Sequence, residues 1–198
     1  MAREILGDSL MGVVLNRVPP QAMPEMEQVV VPFLVAKGIE VLGVAPLDRL
    51  LDSITVRQLV EVLDGKVICG QESLDEFVER FSVGAMDTDA ALGYFQRLPN
   101  KAVITGGNRT DIQLAALETS TRCLVLTGDQ APNQIITART REAGIPIVVV
   151  PTDTLATVEK LEKVLGRIRI REAQKVRRAQ EFLRDRLNYR RIIQKLDL

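Results

Sequence analysis

Three short runs hold the side chains whose types and spacing could do chemistry: Thr105-Gly106-Gly107-Asn108-Arg109-Thr110-Asp111, Thr127-Gly128-Asp129 and Pro151-Thr152-Asp153-Thr154. The chemistry they suit is the binding of an anion. Glycine lets the backbone come close to a ligand. A helix that starts just after such a turn offers unpaired N–H groups and positive partial charge, and Arg109 would add a two-pronged contact to a phosphate or carboxylate. The candidate ligand-binding residues are therefore Thr105, Gly106, Gly107, Asn108, Arg109, Asp111, Thr127, Gly128, Asp129, Asp153 and Thr154. A plainer role fits the same residue types, because Thr, Asn and Asp cap helices and glycines make turns. Capping is the favoured reading of Asp129, and of Asp153 with Thr154, taken singly. Arg109 and Asp111 could also pair with each other, or across a dimer interface.

Catalysis has little to draw on. The chain has no histidine, which removes Ser-His-Asp and Cys-His mechanisms, histidine metal sites and the usual general base near neutral pH. Any reaction would rest on carboxylates, lysine or a bound cofactor. Neither the G-x-x-x-x-G-K-[ST] phosphate loop nor the G-x-G-x-x-G dinucleotide fingerprint is present. Cys69 and Cys123 lack metal-ligand spacing, and the cluster Glu72, Asp75, Glu76 and Glu79 reads as a solvated face. No catalytic residue, metal or cofactor is expected.

The elements that must position these turns come from an ordinary globular composition, 46% hydrophobic and 26% charged. No apolar stretch approaches the roughly 20 residues that span a bilayer. Charge breaks the hydrophobic run of the N-terminus at once, so no secretory pattern is read there. Both cysteines sit in apolar, strand-like settings and read as buried free thiols of a reducing cytoplasm. Net charge is zero but unevenly divided: residues 1–165 carry 15 basic and 22 acidic side chains, residues 166–198 carry 11 and 4. The favoured reading is a basic tail packing on an acidic body, its own or a neighbour's, over a nucleic-acid arm.

Along the chain, Met11 to Val18 reads as a strand, Ala22 to Lys37 as a helix ended by Gly38, Val41 to Ala45 as a strand, and Thr55 as the start of a helix. This alternation favours parallel pairing. Lys66 to Cys69 and Phe77 to Gly84 are strand candidates, and Asp87 is placed to cap a helix over Thr88 to Leu98. Three strand–turn–helix units follow, their strands at Lys101 to Thr105, Arg122 to Leu126 and Pro146 to Val150. The tail is helical by period from Glu172 to Leu187, with a short helix around Ile192, Ile193 and Leu196. The fold class is α/β, an open and mainly parallel sheet with helices on both faces, plus a C-terminal helical tail. In such sheets ligands sit beyond the carboxyl ends of the strands, where the three turns fall.

The run from Val103 to Glu118 resembles the DRTGG domain. Val83-Gly84-Ala85-Met86 matches that module's upstream V-G-A-M element, and Leu124 to Gly128 and Pro146 to Thr154 match its later strands. Asn108 stands where relatives commonly carry Asp, which replaces a carboxylate by an amide. The module occurs in long phosphotransacetylases, in stand-alone proteins and in some regulated pyrophosphatases. Val13 to Pro19 and Leu42 to Pro46 are similar to the end of the dethiobiotin-synthetase-like P-loop domain that precedes it there. Asn16 resembles that domain's residue near adenine, and no phosphate loop accompanies it. The resemblance implies three segments: 1–52, a partial P-loop-like segment lacking the P-loop; 53–166, the DRTGG domain; and 167–198, the basic tail.

The first functional expectation is a non-catalytic regulatory and oligomerisation module, cytoplasmic and homodimeric, that binds a nucleotide or small anionic metabolite at the strand ends. One alternative is a subunit of a split ATP-dependent enzyme whose P-loop half is a partner chain. Another is nucleic-acid binding through the tail, disfavoured by few aromatics and a negative body. No membrane partner is expected.

Overall fold

Residues 7, 10–165 and 170–195 are described by the computed structural model of the chain. They divide into two compact units, one made of residues 1–51 with 170–198 and the other of residues 52–169.

In the first unit, strand β1 (Val13–Val18) pairs in parallel with β2 (Val41–Pro46). The helix expected between them forms, with continuous helical backbone from Pro20 to Ala36 but a hydrogen-bond pattern that changes along it. A 3₁₀ turn at Pro20–Ala22 leads into α1 (Met23–Glu25), a π-helical turn at Met26–Val30 and α2 (Val31–Ala36). Pro32, just past the π-helical turn, has no N–H to give to the ladder, whereas Pro24 sits in the first turn, where none is needed. A short α3 (Arg49–Asp52) follows β2.

The second unit begins with β3 (Ile54–Thr55) and α4 (Val56–Leu63). Thr55 caps α4 through a reciprocal box: its hydroxyl accepts from the Gln58 N–H at 3.2 Å while its own N–H donates to Gln58 Oε1 at 3.0 Å. Next come β4 (Lys66–Cys69), β5 (Phe77–Val78) and β6 (Arg80–Val83). The expected single strand Phe77 to Gly84 is thus cut at Glu79, whose N–H donates to the Asn100 carbonyl at 2.9 Å. β5 pairs antiparallel with β3 and not with the main sheet. Then follow α5 (Thr88–Gln96), β7 (Lys101–Gly106), α6 (Thr110–Leu117), β8 (Thr121–Thr127), α7 (Gln134–Ala143), β9 (Ile147–Val149) and α8 (Thr154–Val164).

The main sheet runs β4-β9-β8-β7-β6. Its last four strands are parallel, and β4 lies antiparallel on β9. The sheet is thus mainly parallel, as expected, with one antiparallel edge strand. Strands β7 to β9 are buried at nearly every position and mostly apolar, because both faces are covered. Ala102, Ile104, Cys123, Val125 and Val148 face α4 and α8, whereas Val103, Leu124, Leu126, Ile147 and Val149 face α5, α6 and α7. The doubly wound α/β expectation holds for this unit. Among the described residues, no helix is long and apolar enough to cross a membrane.

The tail helices α9 (Ala173–Arg186) and α10 (Tyr189–Lys195) belong to the first unit; Leu196 lies outside the described residues. The Asn188 N–H donates to the Leu42 carbonyl at 2.7 Å, and Leu187 bridges Gly43, whose Cα lies too close to Arg186 and Leu187 to admit a Cβ. Arg178 pairs with the largely buried Asp48 carboxylate at 2.6 Å, and Arg191 with Glu40 at 2.8 Å. These arginines find their acidic partners in their own chain.

Candidate functional site

Each of the three turns begins where a strand of the parallel core ends. β7 and β8 run in register to Gly106 opposite Thr127. Beyond that point the Gly107 N–H reaches the Thr127 carbonyl at 3.4 Å, the Gly128 N–H the Thr152 carbonyl at 3.0 Å and the Asp129 N–H the Val150 carbonyl at 3.0 Å. The Thr127 and Thr154 hydroxyls lie 3.0 Å apart. The three runs singled out in the sequence therefore meet along one edge of the sheet.

The candidate residues divide by what they already hold. Thr105 is buried and spends its hydroxyl on the Gly84 carbonyl, at 3.1 Å. Thr127 is buried too and reaches the Thr105 carbonyl at 3.4 Å as well as Thr154. Asp153 caps α8, accepting from the Ala156 N–H at 2.8 Å. The capping expected of Asp129 is not realised. Asn133 caps α7, its Oδ1 accepting from the Ile136 N–H at 2.9 Å, while Asp129 sits in the turn with φ +53°. Gly107 packs against the Gln130 backbone so closely that no Cβ could be placed there, so the first two turns can touch only because residue 107 is glycine.

Arg109 is already engaged. Its Nε donates to Asp111 Oδ1 at 3.0 Å, and its Nη2 donates both to Asp111 Oδ2 at 2.8 Å and to the Met86 carbonyl at 2.9 Å. Thr88 adds a hydroxyl to Asp111 Oδ2 at 3.0 Å. Of the two roles weighed for this pair, the mutual ion pair is the one formed. The guanidinium hydrogen bonds hold the Asp111 carboxyl well below the usual carboxylate range, and Asp111 in turn raises Arg109. The V-G-A-M loop is tied to the turn through Met86.

Open capacity remains on the backbone. Arg109 precedes α6 as its cap residue without a side-chain capping bond. The N–H groups of Asn108, Thr110 and Asp111 have no acceptor among the described residues. This is the arrangement at a helix start that attracts phosphate or carboxylate. Asn108 is exposed, and its side chain carries no charge.

One contributor escaped the sequence reading. Gln113 is fully buried, and its Nε2 donates to the Gly106 carbonyl at 3.0 Å and the Gly107 carbonyl at 3.1 Å. The available signal was a polar residue on the inward side of a helix whose Ile112, Ala115 and Ala116 are core. No group of three or more His, Cys, Asp and Glu able to hold a metal occurs among the described residues.

Comparison with known proteins follows these elements. The family model described as the DRTGG domain matches residues 58–164. A phosphate acetyltransferase of Synechocystis is 29% identical over 162 residues, which cover 77% of this chain and 23% of that protein. The uncharacterized protein YtoI of Bacillus subtilis is 27% identical over 115 residues, 58% of this chain and 25% of that one. The chain thus spans about a quarter of the length of these curated relatives. Among solved structures, the CBS and DRTGG domains of the regulatory region of Clostridium perfringens pyrophosphatase, complexed with the activator diadenosine tetraphosphate, share its fold. The TM-score is 0.51 at 14% identity, over 78% of this chain and 74% of that one.

Proposed function

The chain belongs to the DRTGG domain family, and from that premise we propose that it is a non-catalytic regulatory module binding a nucleotide or another small phosphate-bearing anion at the strand ends. The observation that carries this reading is the set of acceptor-free amides at Asn108, Thr110 and Asp111, at the start of α6 and beside the Arg109 guanidinium. Asn108, Arg109, Gly128 and Asp129 supply the rim, Thr105, Thr127 and Thr154 link the strand ends through their hydroxyls, and Asp153 caps α8. An incoming phosphate meets an Arg109 already engaged by the Asp111 carboxylate and the Met86 carbonyl.

The diadenosine tetraphosphate found with the pyrophosphatase regulatory region supports nucleotide polyphosphates as the first ligands to try. The acetyl transfer of the Synechocystis relative is not carried over, because the match covers 23% of that protein. The absence of histidine is in keeping with a binding role. Self-association of the module and a cytoplasmic setting, which suits the buried free thiols of Cys69 and Cys123, complete the proposal.

The test is thermal shift of the whole chain against ATP, diadenosine tetraphosphate, inorganic phosphate and carboxylate anions. Stabilisation by a phosphate compound in the wild type, absent in Arg109→Ala, is expected. No stabilisation of a folded sample by any compound would leave pure scaffolding as the role.

A second reading rests on β1. Two parallel strands make a small sheet, since parallel sheets are normally wide and covered on both faces, and β1 has no second strand neighbour among the described residues. A P-loop partner polypeptide adding strands at this edge would make the chain part of an ATP-dependent enzyme. Protection of the β1 amides from exchange only on co-expression with such a partner would support it. Equal protection in the isolated chain would count against it.

A further inference from the structure

We infer that Gln113 is a positioning residue for the strand-end site, holding the Gly106-Gly107 turn so that its amides face outward; this rests on the anion-binding reading above. Gln113 is fully buried in a helix face otherwise made of Ile112, Ala115 and Ala116. Its single Nε2 serves two carbonyls, those of Gly106 and Gly107, at 3.0 and 3.1 Å. Its Oε1 is buried without a donor among the described residues. A leucine or methionine would fill the same space without a stranded acceptor, and stranding one is costly. Core packing therefore does not explain the amide. The two carbonyls do.

The consequence follows from peptide geometry. The peptide bonds of the described residues are trans, and in a trans peptide the C=O and the N–H point in opposite directions. With the Gly107 carbonyl drawn inward to Gln113, the Asn108 N–H faces away from the core, where it has no acceptor among the described residues. With the Gly106 carbonyl drawn inward, the Gly107 N–H turns toward the Thr127 carbonyl of the neighbouring strand end. Without the Gln113 donor, the Gly107–Asn108 peptide is free to rotate its carbonyl toward water. Glycine and asparagine are the residue types that tolerate such a flip. Rotation would replace an N–H by a carbonyl oxygen at the rim and repel the anion.

The experiment compares the wild-type chain with Gln113→Met and Gln113→Asn, the second keeping an amide too short to reach the turn. Melting temperature, the amide resonances of Gly107 and Asn108, and affinity for ATP and inorganic tripolyphosphate are measured for each. The expected result is a folded chain with shifted or doubled Gly107 and Asn108 resonances and affinity weakened by about tenfold or more, the scale of a lost charge-assisted contact. Unchanged resonances at both positions in either folded variant would overturn the inference. If the wild type binds neither probe, the anion-binding reading fails on its own, and the two resonances still decide whether Gln113 sets the turn.

Discussion

Arg109 grips both oxygens of Asp111, through Nε at 3.0 Å and Nη2 at 2.8 Å, while the same Nη2 reaches back to the Met86 carbonyl. The group best suited to receive an anion is thus held by a carboxylate of its own chain. The pair lies at the surface, so its net contribution to folding is small. Its importance for binding lies in competition. Asp111→Asn keeps the shape and removes the charge, so phosphate compounds should bind severalfold more tightly, and Arg109→Ala should abolish binding. Titration calorimetry of both variants checks this. Weaker binding by Asp111→Asn would show that Asp111 positions the arginine instead of opposing the ligand.

Lys101 offers a pH-dependent signature far from the turns. It is fully buried at the start of β7, donating to the Thr119 hydroxyl at 2.7 Å and the Ser120 carbonyl at 3.2 Å, with the Phe95 ring 5.5 Å away. Burial pushes its ammonium down to about 8 from the ordinary 10.5. The unfolded chain therefore holds that proton more firmly. Burying the charged form costs stability below about pH 8, and the cost fades as pH rises toward 10.5, by a total on the order of 3 kcal/mol. Denaturant unfolding at several pH values between these limits should show this gain in the wild type and its loss in Lys101→Met. Parallel pH profiles for the two proteins would contradict it.

Gly107→Ala should destabilise the chain by roughly 1–3 kcal/mol, because the new methyl group meets the Gln130 backbone and neither turn can easily retreat. The φ of Gly107 is not positive, so the penalty is one of contact and not of backbone conformation. Unfolding curves measure it. A loss below a few tenths of a kcal/mol would show that the two turns are not packed together as described.

Asp153→Ala separates capping from binding. Loss of the 2.8 Å bond to the Ala156 N–H should cost about 1 kcal/mol, the usual value of an N-cap. Ligand affinity should stay unchanged when measured well below the melting temperature. A drop in affinity without a drop in stability would place the Asp153 carboxylate on the ligand.

The strand ends were legible in the sequence because glycine, threonine, asparagine and aspartate do recognisable local work there. Thr55, Asp87 and Asp153 cap the helices expected of them, and the turn around Gly106 falls where β7 stops. What was hidden depends on partners distant along the chain. Whether Arg109 faces a ligand or Asp111 is a matter of side-chain rotamer, to which spacing is blind. The antiparallel pairing of β4 is decided by β9, and the helical period alone cannot show whether Gln113 meets a turn or simply fills the core. Pro32 was visible, yet the regular apolar spacing between Met26 and Leu34 gave no sign of the π-helical turn inside the helix.

The most direct test is an amide-resonance titration of the whole chain with ATP and with diadenosine tetraphosphate. The binding account predicts saturable shifts concentrated at Asn108 to Asp111, with smaller ones at Gly128 and Asp129, and none in Arg109→Ala. Shifts confined to other parts of the chain, or no shifts at saturating nucleotide, would contradict it.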